Sequence, residues 1–170
     1  MIGQPPLDDT LQAINTEVYF NCKLTLTNYE VESEGSEYKA CHFKLNTLSI
    51  ICRNAKVTPK KAGLFVTFWK RNAEKITEPF SDTDNIDFFV INTLSDSHFG
   101  QFVFPKSALL SKGIISSANK EGKRGFRVYP PHVKLTSKLA LKTQKWQSAF
   151  YLSLEKPINL ARAEALYQQS

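Results

Sequence analysis

Between residues 41 and 52 apolar and polar positions alternate. Cys41, Phe43 and Leu45 precede Asn46-Thr47, and Leu48, Ile50 and Cys52 follow it. A period of two on both arms of a two-residue break predicts an antiparallel hairpin. Four more segments have the aromatic and β-branched character of strands and are bounded by Gly, Pro or Asn/Asp: GLFVTFWKR (63–71), IDFFVINTL (86–94), GQFVFPK (100–106) and GFRVYP (125–130). Helical spacing appears towards both ends. Leu7, Leu11, Ile14 and Val18 recur every three or four positions behind Pro5-Pro6, with Asp8 and Asp9 placed where carboxylates suit the positive end of a helix. SALLSKG (107–113) predicts a short helix that Gly113 stops. Residues 137–154 predict a longer helix, with Leu135, Leu139, Trp146, Phe150 and Leu154 facing the core beside a stripe of Lys138, Lys142 and Lys145. The acidic stretch 72–87, which carries Pro79, reads as a loop.

These elements run helix, sheet, short helix, strand, helix, with no repeat or composition shift to divide residues 1–170 into two domains. The expected fold class is α/β (α+β), a central mixed sheet of about six strands flanked by N- and C-terminal helices. Because the strands outnumber the helices, a mostly β pseudobarrel is the alternative. A hydrophobic content of 42% is enough for a core and excludes a disordered chain.

Charge adds a second layer. The net charge is +6, but its distribution is segmented. Residues 53–71 hold six basic and no acidic groups, and residues 101–146 hold ten basic and one acidic; acidic stretches precede and separate them. Two basic blocks of this kind are the footprint of a polyanion-binding face, since each Lys or Arg that meets a phosphate releases counterions. In KEGKRGFRVYPP (120–131), Lys120, Lys123 and Arg124 lie in a loop whose Gly122 and Gly125 would let the backbone approach a phosphate, with Arg127 on the following strand. Neither block has the spacing of a nucleotide-binding loop, which makes a polymer backbone the expected ligand. In the first block Trp69 stands beside Lys70 and Arg71 and offers a base-stacking plate.

Other chemistries find little support. Cys22, Cys41 and Cys52 are odd in number and have no metal-ligand spacing, so they read as reduced thiols of a cytoplasmic protein. His42, His98 and His132 form no ligand pair, Ser107 and Ser111 sit in no nucleophile elbow, and no cofactor is expected. The N-terminal MIGQPPLDDT lacks the charged and apolar regions of a signal peptide, and the apolar runs are too short to span a membrane.

RNAKVTPKKAGLFVTFWKR, GQFVFPKSALLSKGI, KEGKRGFRVYPP and LKTQKWQ, in that order, resemble the MepB proteins over about residues 28–152. These are small bacterial cytoplasmic proteins named from a multidrug-resistance operon that also encodes an efflux pump and its repressor. The resemblance implies an α/β domain similar to the restriction-endonuclease-like group and to nucleic-acid-binding proteins. Arg53, Lys56, Lys60, Trp69, Lys70, Arg71, Lys106, Lys123, Arg124, Arg127 and Trp146 lie in the matching motifs, and Cys52 stands where the pattern has an aromatic. The expected function is nucleic-acid binding, with DNA the expected partner, through Arg53, Lys56, Lys60, Trp69, Lys70, Arg71, Lys106, Lys120, Lys123, Arg124 and Arg127. The alternatives are an Mg²⁺-dependent nuclease, for which Glu37-Tyr38-Lys39 with Glu17, Glu30 or Glu32 is the one matching pattern, and a module for an acidic protein partner.

Overall fold

The computed structural model describes residues 5 to 169, so the reading of the first four residues lies outside it. The hairpin forms in the expected register: β2 (Cys41–Leu45) and β3 (Leu48–Asn54) place Leu45 opposite Leu48 and Cys41 opposite Cys52. Asn46 turns the chain at φ +54°, a left-handed conformation that Asn tolerates, and its side chain accepts a bond from the Thr25 N–H at 2.9 Å. β1 (Leu26–Val31) flanks β2. β8 (Phe88–Ser95) runs parallel to β3, followed by antiparallel β9 (His98–Pro105) and β11 (Tyr151–Ser153). The result is a six-stranded mixed sheet in the order β1-β2-β3-β8-β9-β11.

Its two faces build two cores. On one, α1 (Asp9–Ile14), extended by a π turn to Tyr19 and a 3-10 turn to Cys22, packs with α4 (Leu160–Tyr167). Leu11, Ile14, Val18, Leu166 and Tyr167 meet Phe43, Ile50, Phe88 and Val90 there. Asp8 caps α1 by accepting the Leu11 N–H at 3.0 Å, and Asp9 takes the first turn. On the other face lies a three-stranded sheet, β10 (Gly125–Val128), β5 (Lys61–Thr67) and β4 (Lys56–Thr58). Its inward residues Leu64, Val66, Phe126 and Val128 pack on Phe89, Ile91, Phe102 and Phe104. α2 (Lys106–Ser111) and α3 (Lys138–Ser148) complete that layer, and β6 (Trp69–Arg71) pairs with β7 (Thr77–Pro79) as a separate ribbon. Cys41 and Cys52 are buried thiols and Cys22 is half-buried. The buried amides of Asn92 and Gln101 are satisfied in a chain running from Asn54 through Asn92 and Gln101 to the Tyr167 hydroxyl.

This is the expected α+β class with a six-stranded mixed sheet, and the described residues close no barrel. Several details differ. The predicted strand 63–71 divides at Phe68, which is fully buried and bonds its N–H to the Arg124 carbonyl at 2.8 Å; beyond it the chain leaves β10 to pair with β7. Neither 63–71 nor 125–130 joins the central sheet, whose outer strands β1 and β11 the hydrophobic pattern does not announce. The predicted helix 137–154 ends at Ser148, and Tyr151 to Ser153 form β11, with Ser153 opposite Gly100. Gly100 is required there, because a Cβ would lie 2.0 Å from the Tyr151 hydroxyl oxygen. Leu139, expected to face the core, is 76% exposed. No helix among the described residues is long and apolar enough to cross a membrane.

Candidate nucleic-acid interface

Register in the small sheet sets the outward face. Phe65 on the central strand pairs with Lys56 on one side and Arg127 on the other, so the three side chains form one cross-strand row. The neighbouring Leu64, Val66, Phe126 and Val128 point into the core, which leaves this row outward. The two basic blocks also meet further along. The Arg124 guanidinium reaches the carbonyl of Thr77 at 3.3 Å, and Thr77 is the ladder partner of Arg71.

The cations of the first block are largely committed to carboxylates. Three come from one acidic segment, residues 32–37, between β1 and β2. Glu32 holds Arg53 at 2.9 Å, Glu34 holds the Arg71 Nε at 2.6 Å, and Glu37 meets Lys56 at 3.4 Å. Arg53 is only 3% exposed, its guanidinium also donating to the Cys52 carbonyl, so it belongs to the floor of the site and not to its surface. Lys70 is paired with Asp84 and, at 3.4 Å, with Glu78. Burial alone would lower its pKa, but the two carboxylates outweigh that and hold the ammonium above its ordinary value. Trp69, half-buried, lines a cleft of about 330 Å³ with Glu32, Glu34 and His42, and the Arg71 guanidinium lies 5.4 Å from its ring centroid. Glu37-Tyr38 lies on a 3-10 turn (Ser36–Tyr38), with Glu37 turned towards Lys56.

The second block is arranged differently. Arg124 pairs with Glu121 at 3.0 Å, whereas Arg127 contacts neutral acceptors: the carbonyls of Ala62 at 2.9 Å and Gly63 at 3.2 Å and the Thr58 hydroxyl at 2.8 Å. Its charge is thus anchored on the β4–β5 turn without being cancelled. Lys60, Lys120 and Lys123 are exposed, and no ion pair is formed by them among the described residues. Lys106 donates to the Asp82 carbonyl at 2.9 Å. The glycines of the basic loop serve internal packing and not an open approach to phosphate. A Cβ on Gly122 would lie 2.5 Å from the Ile114 carbonyl oxygen, and one on Gly125 2.6 Å from the Phe65 ring. The Gly122 and Lys123 N–H groups are likewise spent inward, on the Ser116 hydroxyl and the Ile114 carbonyl, each at 2.8 Å.

Between β10 and α3 these features frame a groove of about 460 Å³. Lys112, Lys123 and Arg127 supply its charge, Phe65, Tyr129 and Trp146 its aromatic surface, and among the described residues no carboxylate lines it. α3 is held against the β10 edge by its glutamines. Gln147, fully buried, accepts the Tyr129 N–H at 2.8 Å and donates to the Arg127 carbonyl at 3.0 Å, while Gln144 donates to the carbonyls of Pro130 and Val133. The exposed Lys138, Lys142 and Lys145 flank the groove-facing line of Leu139, Thr143 and Trp146. Lys112 completes the rim, its ammonium 5.5 Å from the Trp146 ring centroid. The lysine stripe and Trp146 are visible in the sequence. Lys112 and Tyr129 carry no signal there, because only the tertiary fold sets them facing α3.

The model of the MepB-like family matches residues 32–153 of the chain. Among solved structures, the crystal structure of MepB is similar with a TM-score of 0.75 and 30% sequence identity, over 88% of this chain and 99% of that one. No curated protein matches the chain.

Proposed function

The chain belongs to the MepB-like family, and from that premise we propose that it binds nucleic acid, DNA foremost, through the groove between β10 and α3. The observation that carries this reading is the contrast between its two basic regions. The groove gathers Lys112, Lys123 and Arg127 without a carboxylate, while the cleft at Trp69 has its cations matched by Glu32, Glu34 and Asp84. An uncompensated cluster of cations repels itself unless a polyanion covers it, and counterion release then favours binding. Lys60, Lys120 and the Lys138, Lys142 and Lys145 stripe extend the same surface for phosphate contacts. Lys56, Lys70, Arg71 and Arg124 form its paired margin. The resemblance to proteins named from a multidrug-resistance operon supports a role for this binding in a bacterial cytoplasm, in the setting of an efflux pump and its repressor.

The test is charge reversal at and away from the groove. Lys123→Glu and Lys112→Glu weaken binding of a labelled oligonucleotide by about tenfold or more, since 1.4 kcal/mol is tenfold. Lys23→Glu, where the first helical segment ends on the opposite side of the central sheet, changes it little. Equal effects at the three positions would remove the groove from the account.

A further inference from the structure

We infer that the groove takes an unpaired base of a single strand, an inference that rests on the nucleic-acid reading above. Phe65, Tyr129 and Trp146 are half-buried, so part of each ring remains open to the groove they line. Duplex phosphates gain nothing from aromatic surface, whereas a base freed from its stack does, because every base has a π-face. The site is also concave and of the order of one nucleotide, at about 460 Å³. A duplex keeps its bases paired inside and cannot place one there without flipping it. Leu139 at the mouth, 76% exposed beside these cations, is apolar surface that a base would cover and a phosphate would not.

The same contacts indicate what the groove does not read. The Gln147 amide uses both its ends on the β10 backbone, Ser137 accepts the Ala140 N–H, and the Arg127 guanidinium is occupied by Thr58, Ala62 and Gly63. The amide and the guanidinium, the groups suited to bidentate reading of base edges, are thus spent on the protein itself, so recognition is by stacking and charge and tolerates any sequence. Each ring has a cation over it, but Glu34 holds Arg71 at the Trp69 ring, whereas Lys112 at the Trp146 ring has no carboxylate partner among the described residues and can turn to a phosphate, so Trp146 is favoured as the plate.

The probes are a labelled oligo-dT, a duplex of equal length, and heparin, a polyanion without bases. Wild type binds oligo-dT more tightly than the duplex, and Trp146→Ala weakens oligo-dT by about fivefold to a hundredfold, the range expected for losing one stacked base. Duplex and heparin binding change less than about twofold. Trp146 also packs on Phe104 and Phe150, so a variant that leaves the fold intact is needed alongside. In Trp69→Phe, which leaves Trp146 the sole tryptophan, oligo-dT quenches the fluorescence and heparin does not. Equal affinity for oligo-dT and duplex, with equal quenching by heparin, overturns the single-strand inference while leaving polyanion binding standing. Binding of heparin alone, or of none of the three, overturns the nucleic-acid reading as well.

Discussion

Arg127 holds the β4–β5 turn through neutral acceptors, and its two neighbours in the basic segment, Lys123 and Arg124, are exposed. Removing the three therefore has unequal consequences. Arg127→Ala costs stability of about 1.5–3 kcal/mol, the range for hydrogen bonds to a charged group. Lys123→Ala stays within about 0.5 kcal/mol. Urea midpoints separate the two, and an unchanged midpoint in Arg127→Ala would mean that the guanidinium does not brace the turn. A second residue-scale prediction concerns His132, whose ring stacks on His98 at 4.1 Å and whose Nε2 meets the Ser95 hydroxyl at 3.0 Å. Burial, and then the charge of His98, pull its pKa below the ordinary imidazole value; Asp96 and Glu155 offset this only in part. The unfolded chain then takes up the proton more readily. This contribution to stability is complete above the unfolded value of about 6.5 and is lost as pH falls towards the lower folded value. Melting temperature therefore falls less on acidification in His132→Asn than in wild type, and parallel profiles would contradict the assignment. At this scale the sequence shows where charge lies but not what answers it. Arg53 and Arg127 read as ligand contacts from their neighbours alone, and only the fold brings Glu32 to one and the β4–β5 carbonyls to the other.

At the scale of elements, alternation and helical spacing were legible wherever one element buries one face. The β2–β3 hairpin and α1 follow their patterns closely. The pattern fails where a segment changes partners. Phe68 continues the apolar alternation of 63–71 although the ladder ends with its N–H on Arg124, and residues 151–153 continue a helical pattern although they pair with β9. Gln147 is the most consequential case, a buried amide that replaces a neighbouring strand for the β10 edge. Gln147→Met keeps the volume but leaves the Tyr129 N–H and the Arg127 carbonyl unmet, at about 1–3 kcal/mol each. Its unfolding midpoint falls accordingly; a midpoint equal to wild type would mean that water serves the edge equally well. The acidic segment 32–37 yields another prediction. Glu34→Gln with Glu37→Gln frees Arg71 and Lys56, so binding tightens at low salt and the slope of log affinity against log salt steepens by about one to two. An unchanged slope would show that Arg71 and Lys56 take no part in binding.

For the molecule as a whole, the central sheet divides the structure into a helix-covered face carrying α1 and α4 and a face that carries the small sheet, α3 and the uncompensated cations. The sequence signalled two basic blocks, but not that the acidic stretch preceding the first would fold over it and leave the second as the open surface. That asymmetry makes the groove the centre of the account. Its most direct test is the salt dependence of oligo-dT binding in wild type and in Lys112→Ala with Lys123→Ala. Each phosphate contact contributes about 0.7 to the slope for a single strand, so losing two flattens it by about 1.4, with the melting temperature unchanged. A double variant that folds normally and retains the wild-type slope would contradict the claim that this groove is where the protein meets nucleic acid.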